Sequence, residues 1–216
     1  MTALRFQYQT IEFDDVDIHV RTLRDKQQYF DDNDAAHNLG ISSAQWSLFG
    51  VIWPSSEVLA HYMFDFDIKG KRILEVGCGI GLTSLILNQR NADITATDYH
   101  PETEAFLLEN TKLNDGAIIP FYRTGWADEI SELGEFDLIL GSDILYEDEH
   151  ASLLSEFINQ HAKESCEVII VDPGRGRHAK FSKKMVTLGY SHKQSKPEST
   201  YFLDERFKGQ ILQYNR

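Results

Sequence analysis

Residues 73–82 read ILEVGCGIGL. An apolar run leads in, the helix-like stretch LTSLILNQR leads out, and three glycines stand between them at alternate positions. These are Gly77, Gly79 and Gly81, with Glu75 two residues ahead of the first. A strand-to-helix turn stripped of side chains lets backbone N–H groups come close to a ligand. A phosphate loop is excluded, because no Gly-Lys-Ser/Thr follows. A dinucleotide fingerprint needs glycine at the first, third and sixth positions, and here the sixth is Leu82. Glu75 would also oppose a pyrophosphate. It suits a ligand with a positive end, such as an amino-acid ammonium.

Outward from this turn the chain alternates apolar strands with amphipathic helices. KRILEVG precedes GLTSLILNQR, DITATD precedes PETEAFLLENTKLN, and IIPFYRT precedes a short linker. FDLILGSD then precedes EHASLLSEFINQHAK, and EVIIVD precedes RHAKFSKKMVTLG. Such a rhythm predicts parallel pairing with both sheet faces covered. At the tail, YSHKQSKP and GQILQYNR follow one another without a helix, so the last strand is expected to be antiparallel. The fold class is therefore α/β: a Rossmann-like, doubly wound sheet of seven strands, mostly parallel.

Upstream, RFQYQTIEF and DIHVRTL alternate as a hairpin turning at Asp14-Asp15. The polar stretch 24–43 reads as loop with one helical turn. WPSSEVLAHYMF starts a helix at Pro54, with serines available for capping. One domain is expected over 1–216, with 1–70 an N-terminal hairpin and helix extension and 71–216 the cofactor-binding sheet.

Composition is that of an ordinary globule, 42% hydrophobic and 25% charged, which argues against disorder. Thirty-four acidic against 21 basic side chains give a net charge of -13. Such a field repels nucleic acid and favours cationic partners, although solubility alone also accounts for it. Cys78 and Cys166 are the only cysteines and form no metal-ligand spacing, so both read as small packed residues. The first fifteen residues lack the apolar core of a signal peptide, and no run approaches 18 apolar residues. A cytoplasmic protein without membrane contact is the expectation, and no metal is expected.

In open α/β sheets ligands lie at the carboxyl ends of the strands. DITATD ends there on Asp98, 23 residues after Glu75. A carboxylate at that point accepts both hydroxyls of a ribose. Adenosine joined to an amino acid fits both carboxylates, and S-adenosylmethionine is such a ligand.

Together, LEVGCGIG, TATD and FDLILGSDILY resemble the class I, seven-strand methyltransferases. More narrowly, FGVIWPSSEVLAHYM, TGWADE and SDILYEDEH are similar to the lysine methyltransferase-like family, methyltransferase family 16, over roughly residues 45–175. The resemblance implies a cofactor site of Gly77, Gly79, Gly81, Glu75 and Asp98. It sets Trp126 against the adenine, with Asp128 or nearby backbone at the adenine amine. It also puts Trp53 and its helix over the methionine moiety, and Ser142 beside the cofactor. Asp143 and Tyr146 match the family's Asp-x-x-Tyr pair, which implies a catalytic role. A lysine amine must arrive neutral, and a carboxylate with an aromatic hydroxyl can hold it as hydrogen-bond acceptors. The ring can also face a sulfonium or methylammonium.

Each of these residues has a purely structural alternative. Asp98 and Asp143 would cap helices, Trp126 would fill core and Trp53 would act as a staple. Arg175 and Arg177 in VDPGRGRHAKF either bind a substrate carboxylate or an acidic target, or are exposed loop charges. His61, His100 and His178 lack ligand spacing and read as surface or packing residues. The function read from the chain is methyl transfer from S-adenosylmethionine to a protein side-chain nitrogen, with lysine implied by the resemblance. The rivals are a small-molecule or other side-chain methyltransferase and a non-catalytic cofactor-binding module. A nucleic-acid methyltransferase is disfavoured by charge and by the lack of an Asn-Pro-Pro-aromatic motif, and a dinucleotide oxidoreductase by Leu82.

Overall fold

The computed structural model describes residues 5–24, 31, 33–128, 130–147 and 149–216. The chain opens with strands β1 (Phe6–Phe13) and β2 (Val16–Leu23), then helices α1 (Ala35–Asn38) and α2 (Pro54–Phe64). Next come β3 (Arg72–Val76), α3 (Leu82–Gln89), β4 (Asp93–Asp98), α4 (Thr103–Leu113) and β5 (Phe121–Arg123). The series ends with β6 (Phe136–Ser142), α5 (His150–His161), β7 (Ala162–Asp172), α6 (His178–Thr187), β8 (Ser191–Ser195) and β9 (Gln210–Asn215).

Seven strands form one sheet in the order β5-β4-β3-β6-β7-β9-β8. β3, β4, β5, β6 and β7 are parallel, while β9 runs antiparallel to both β7 and β8. The antiparallel last strand is thus present, and it is inserted one place in from the edge. The expected hairpin pairs Phe13 with Val16 and turns at Asp14, whose φ is 41°. α1 supplies the helical turn in the polar stretch, and residues 25–30 and 32 of that stretch lie outside the described residues.

Side-chain alternation sorts each central strand onto two faces. Ile73, Leu138, Leu140, Ile169 and Val171 join the cluster built with α2, α3 and α4. Leu74, Val76, Ile139, Val168 and Ile170 join the one built with α5 and α6. Burying each such side chain stabilises the fold by about 1.5–3 kcal/mol, and Leu74→Ala would cost about 2–5 kcal/mol.

Local chemistry fixes the elements that frame the site. Pro54 occupies the first position of α2, and Ser56 caps from the third, its Oγ accepting the Trp53 N–H at 3.2 Å. Asn110 of α4 and Asn114 just after it clamp the hairpin: their amide oxygens accept the Arg21 and His19 N–H groups at 2.7 and 2.8 Å. Asn110 Nδ2 also donates to the Ile80 carbonyl at 3.1 Å, tying the hairpin to the glycine turn.

Candidate functional site

One cavity of about 670 Å³ opens along the carboxyl ends of β3, β4 and β6. Its volume falls in the range of small-molecule sites, about 300–1,000 Å³. Gly77, Gly79, Asp98, Trp126, Ser142, Asp143, Tyr146 and Trp53 all line it. Residues scattered over nearly a hundred positions of sequence converge because parallel strands end side by side.

The glycine turn forms because its conformations suit residues without Cβ. Gly77, Gly79 and Gly81 have φ of 63°, 54° and 80°. A Cβ on Gly79 would stand 3.0 Å from the Phe49 carbonyl oxygen. Gly81 is buried beneath the turn, where a Cβ would meet Leu107 Cδ1 at 2.3 Å. It serves helix packing and does not line the cavity.

Glu75 does not line the cavity either. The expectation that its carboxylate faces a ligand's ammonium is corrected by where the side chain goes. Period-two alternation turns Glu75 toward α3, where Oε2 accepts both the N–H (2.9 Å) and the hydroxyl of Ser84. It caps the first turn of α3 from a neighbouring strand, satisfying one of the amides that a helix start leaves open. It is 2% exposed, and burial pushes its pKa up to about 7.

Asp98 sits at the end of β4 and anchors the turn. One carboxylate oxygen accepts the Gly79 N–H at 2.9 Å and the other the His100 N–H at 2.8 Å. It does not cap α4, whose N-cap is Glu102. Asp98 lines the cavity, and a carboxylate has acceptor sites beyond these two bonds, as a ribose diol requires.

Trp126 forms one wall, its ring edge-to-face with His150 at 4.9 Å. Asp128 turns back to accept the Gly125 N–H at 2.6 Å, holding the loop that carries Trp126. On the opposite side, Trp53 donates its indole N–H to the Leu48 carbonyl at 2.9 Å, which fixes the entry to α2.

After β6 the chain turns through Asp143 in the left-handed region, φ 55°. Asp143 forms a two-pronged ion pair with Arg175, Nη1 on Oδ1 and Nη2 on Oδ2 at 3.1 Å. It caps no helix, since α5 begins only at His150. Tyr146 lies on the cavity rim, its ring 4.5 Å from His150, and burial with nearby Asp98 and Glu147 raises its hydroxyl pKa to about 12. The hydroxyl therefore stays protonated at neutral pH and can accept or donate a hydrogen bond.

Some lining residues escaped the reading of the sequence. Ile41, Gln45 and Leu48 line the cavity from a segment to which the sequence assigns no ligand role, and Phe49 joins them from the stretch FGVIWPSSEVLAHYM. Gln45 donates to Glu147 across the mouth of the cavity, and Tyr99 donates to the Leu39 carbonyl at 2.7 Å. The aromatic density of SLFGVIW was the available signal. His100 is buried against Phe49, with ring centroids 3.9 Å apart, and burial lowers its pKa to about 4. His61 stacks on Phe202 and meets the tilted ring of Phe13, a packing role. Cys78 and Cys166 are free and buried. Among the described residues, no helix is long and apolar enough to cross a membrane.

The lysine methyltransferase family matches residues 35–187. The chain is 36% identical over 131 residues to the protein N-lysine methyltransferase METTL21A of Danio rerio, covering 53% of this chain and 57% of that protein. It is 27% identical over 172 residues to the calmodulin-lysine N-methyltransferase of Arabidopsis thaliana, covering 74% of this chain and 54% of that protein. The chain thus spans little more than half the length of these relatives. Among solved structures, magnesium protoporphyrin IX methyltransferase from Synechocystis PCC 6803 with bound SAM superposes with a TM-score of 0.59 at 19% identity. That match covers 74% of this chain and 77% of that one, and is a likeness of fold.

Proposed function

The chain belongs to this lysine methyltransferase family, and from that premise we propose that it methylates a protein lysine side chain using S-adenosylmethionine. The observation that carries the reading is the convergence of Gly77, Gly79, Asp98, Trp126, Asp143 and Tyr146 on one cavity. The donor set fits the cofactor: a glycine turn that a Cβ would obstruct at Phe49, a carboxylate at the end of β4, and an indole wall.

When bound, the cofactor supplies an electrophilic methyl group on a sulfonium. Asp98 would accept the ribose hydroxyls while its bonds to Gly79 and His100 keep the turn in register. Trp126 would offer its face to the adenine. Ser142 would border the cofactor, and Trp53 would hold the start of α2 over its amino-acid end. Asp143 and Tyr146 would receive the neutral amine and fix its lone pair along the line of displacement. Orientation is the main contribution available from such a site, because an in-line displacement needs little acid or base power. The segment carrying Ile41, Gln45 and Phe49 covers the cavity and would keep water from it. A protein partner accords with the family, and a cytoplasmic setting without nucleic acid is part of the same proposal.

Titration calorimetry with S-adenosylmethionine, and separately with NAD, tests the cofactor. Incubating the protein with a matching cell extract and cofactor labelled on the methyl group tests the acceptor. Label on a lysine of a protein band is the expected result. Label confined to small molecules, or to nucleic acid, would overturn it.

A further inference from the structure

The negative charge of the chain is not evenly spread. Residues 173–197 carry seven of the 21 lysines and arginines and none of the 34 acidic residues. This stretch runs from the turn after β7 through α6 and into β8, so it begins at the cavity that holds Asp143. Its first cation, Arg175, lines that cavity. Arg177 and Lys180 line a smaller hollow of about 180 Å³, together with Gly176, Leu145, Ala151 and Glu147. Glu147 lines both spaces, so the two adjoin.

Arg175 has a specific effect on the site. Its two Nη atoms grip both oxygens of Asp143, leaving the Asp143 side chain 9% exposed while its own is 42% exposed. An amine that is to meet Asp143 must therefore approach a guanidinium already seated there. The pair is also crowded by a second cation, since Arg177 lies close enough to lower the Arg175 pKa alongside burial. A guanidinium has five N–H donors in a planar fork, and Asp143 engages two of its nitrogens. A second carboxylate is the partner that matches what remains. Solvent ions screen exposed charges beyond about 8–10 Å, so the distant acidic residues of the chain weigh little at Arg175, and the carboxylates that matter there are Asp143 and Glu147 of the cavity lining.

We propose that Arg175 and the basic turn after it bind an acidic side chain that the substrate protein carries beside the methyl-accepting lysine. This rests on the lysine methyltransferase reading above. The substrate carboxylate draws the Arg175 fork toward itself and away from Asp143, which exposes Asp143 to the amine. Recognition of the flank and readiness of the acceptor site are thus one event. A peptide lacking the acid leaves the Arg175–Asp143 pair closed. Arg175 is a positioning and specificity residue in this scheme, acting on the amine through Asp143.

The test uses the full chain with S-adenosylhomocysteine and short fluorescent peptides, each with one central lysine. The lysine is flanked by aspartates, by asparagines or by arginines, and binding is followed by polarisation. The aspartate peptide should bind about tenfold or more tighter than the asparagine peptide. The gap should close to within about twofold in Arg175→Gln and narrow partly in Lys180→Gln, and Arg175→Glu should reverse the preference toward the arginine peptide. Circular dichroism of each variant shows that it is folded. Equal binding of the aspartate and asparagine peptides to the unaltered protein would overturn the proposal, as would a gap that survives in Arg175→Gln. Free lysine competing as well as the aspartate peptide would also overturn it, since the carboxylate would then be the amino acid's own. Methyl transfer to the same peptides separates the two readings. Methylation without an acidic preference removes this inference and leaves the enzyme reading standing. An acidic binding preference with no methylation of any peptide overturns the enzyme reading and with it the assignment of the acid to the flank of a methyl-accepting lysine, leaving only an acid-binding turn.

Discussion

Replacing Glu75 by Gln separates its role beneath the glycine turn from any role in ligand binding. In the folded chain the Glu75 carboxyl is 2% exposed and titrates at about 7, against an ordinary value of 4.5, because burial disfavours its charged form. The folded state therefore holds a proton that the unfolded chain releases. Stability from this group is complete below about pH 4.5 and is lost as pH rises through about 7. At about 1.4 kcal/mol per pH unit, the difference between 4.5 and 7 amounts to about 3 kcal/mol at pH 8. Glutamine cannot ionise, and its amide oxygen can still accept both bonds that Ser84 now gives to Oε2. Glu75→Gln should then match the unaltered chain at pH 4.5–5 and be more stable by about 3 kcal/mol at pH 8, measured by urea unfolding across that range. Comparing the two proteins at each pH removes common contributions, such as that of Glu57, which burial and Asp204 also raise to about 7. S-adenosylhomocysteine affinity should change by less than about threefold, because the side chain does not reach the cavity. A variant less stable by the same amount at every pH would refute the reasoning: the carboxylate would then be ionised and favoured by the amides at the start of α3. A large loss of affinity would instead return Glu75 to the ligand.

Asp98→Ala removes the acceptor of the Gly79 and His100 N–H groups. It should weaken S-adenosylhomocysteine binding by at least about 1.5–3 kcal/mol, with calorimetry as the measure and unchanged affinity the result that removes Asp98 from the site. Asp143→Asn should leave that affinity near normal while kcat/KM in a labelled-methyl assay falls about 100-fold or more, and Tyr146→Phe should cost less. If affinity and rate fell together, Asp143 would belong to the cofactor's contacts. Gly81→Ala forces a left-handed alanine, costing about 1–2 kcal/mol, and drives its methyl into Leu107, costing about 1–3 kcal/mol more. A thermal melt within a degree of the unaltered protein would contradict that packing.

Alternation within an element is local information, and the strands, helices and hairpin were legible for that reason. The run RILEV must place successive side chains on opposite faces, and LTSLILNQ must present an apolar stripe, whatever surrounds them. The position of the cavity followed too, because parallel strands bring their carboxyl ends to one edge, where Asp98 and Ser142 end strands and Asp143 follows directly. Four features were decided only in three dimensions. Glu75 looks like a ligand residue in ILEVGCG, yet the parity of β3 points it at α3, and parity relative to a partner helix is known only once the sheet is assembled. Arg175 and Asp143 lie 32 positions apart and meet because β6 and β7 are neighbours in the sheet, an order that no periodicity encodes. The slot of β9 between β7 and β8, and the closure of the 40–51 segment over the glycine turn, are likewise products of long-range packing. Side-chain pattern sets what each segment can become, and the order in which segments stack sets which side chains share a site.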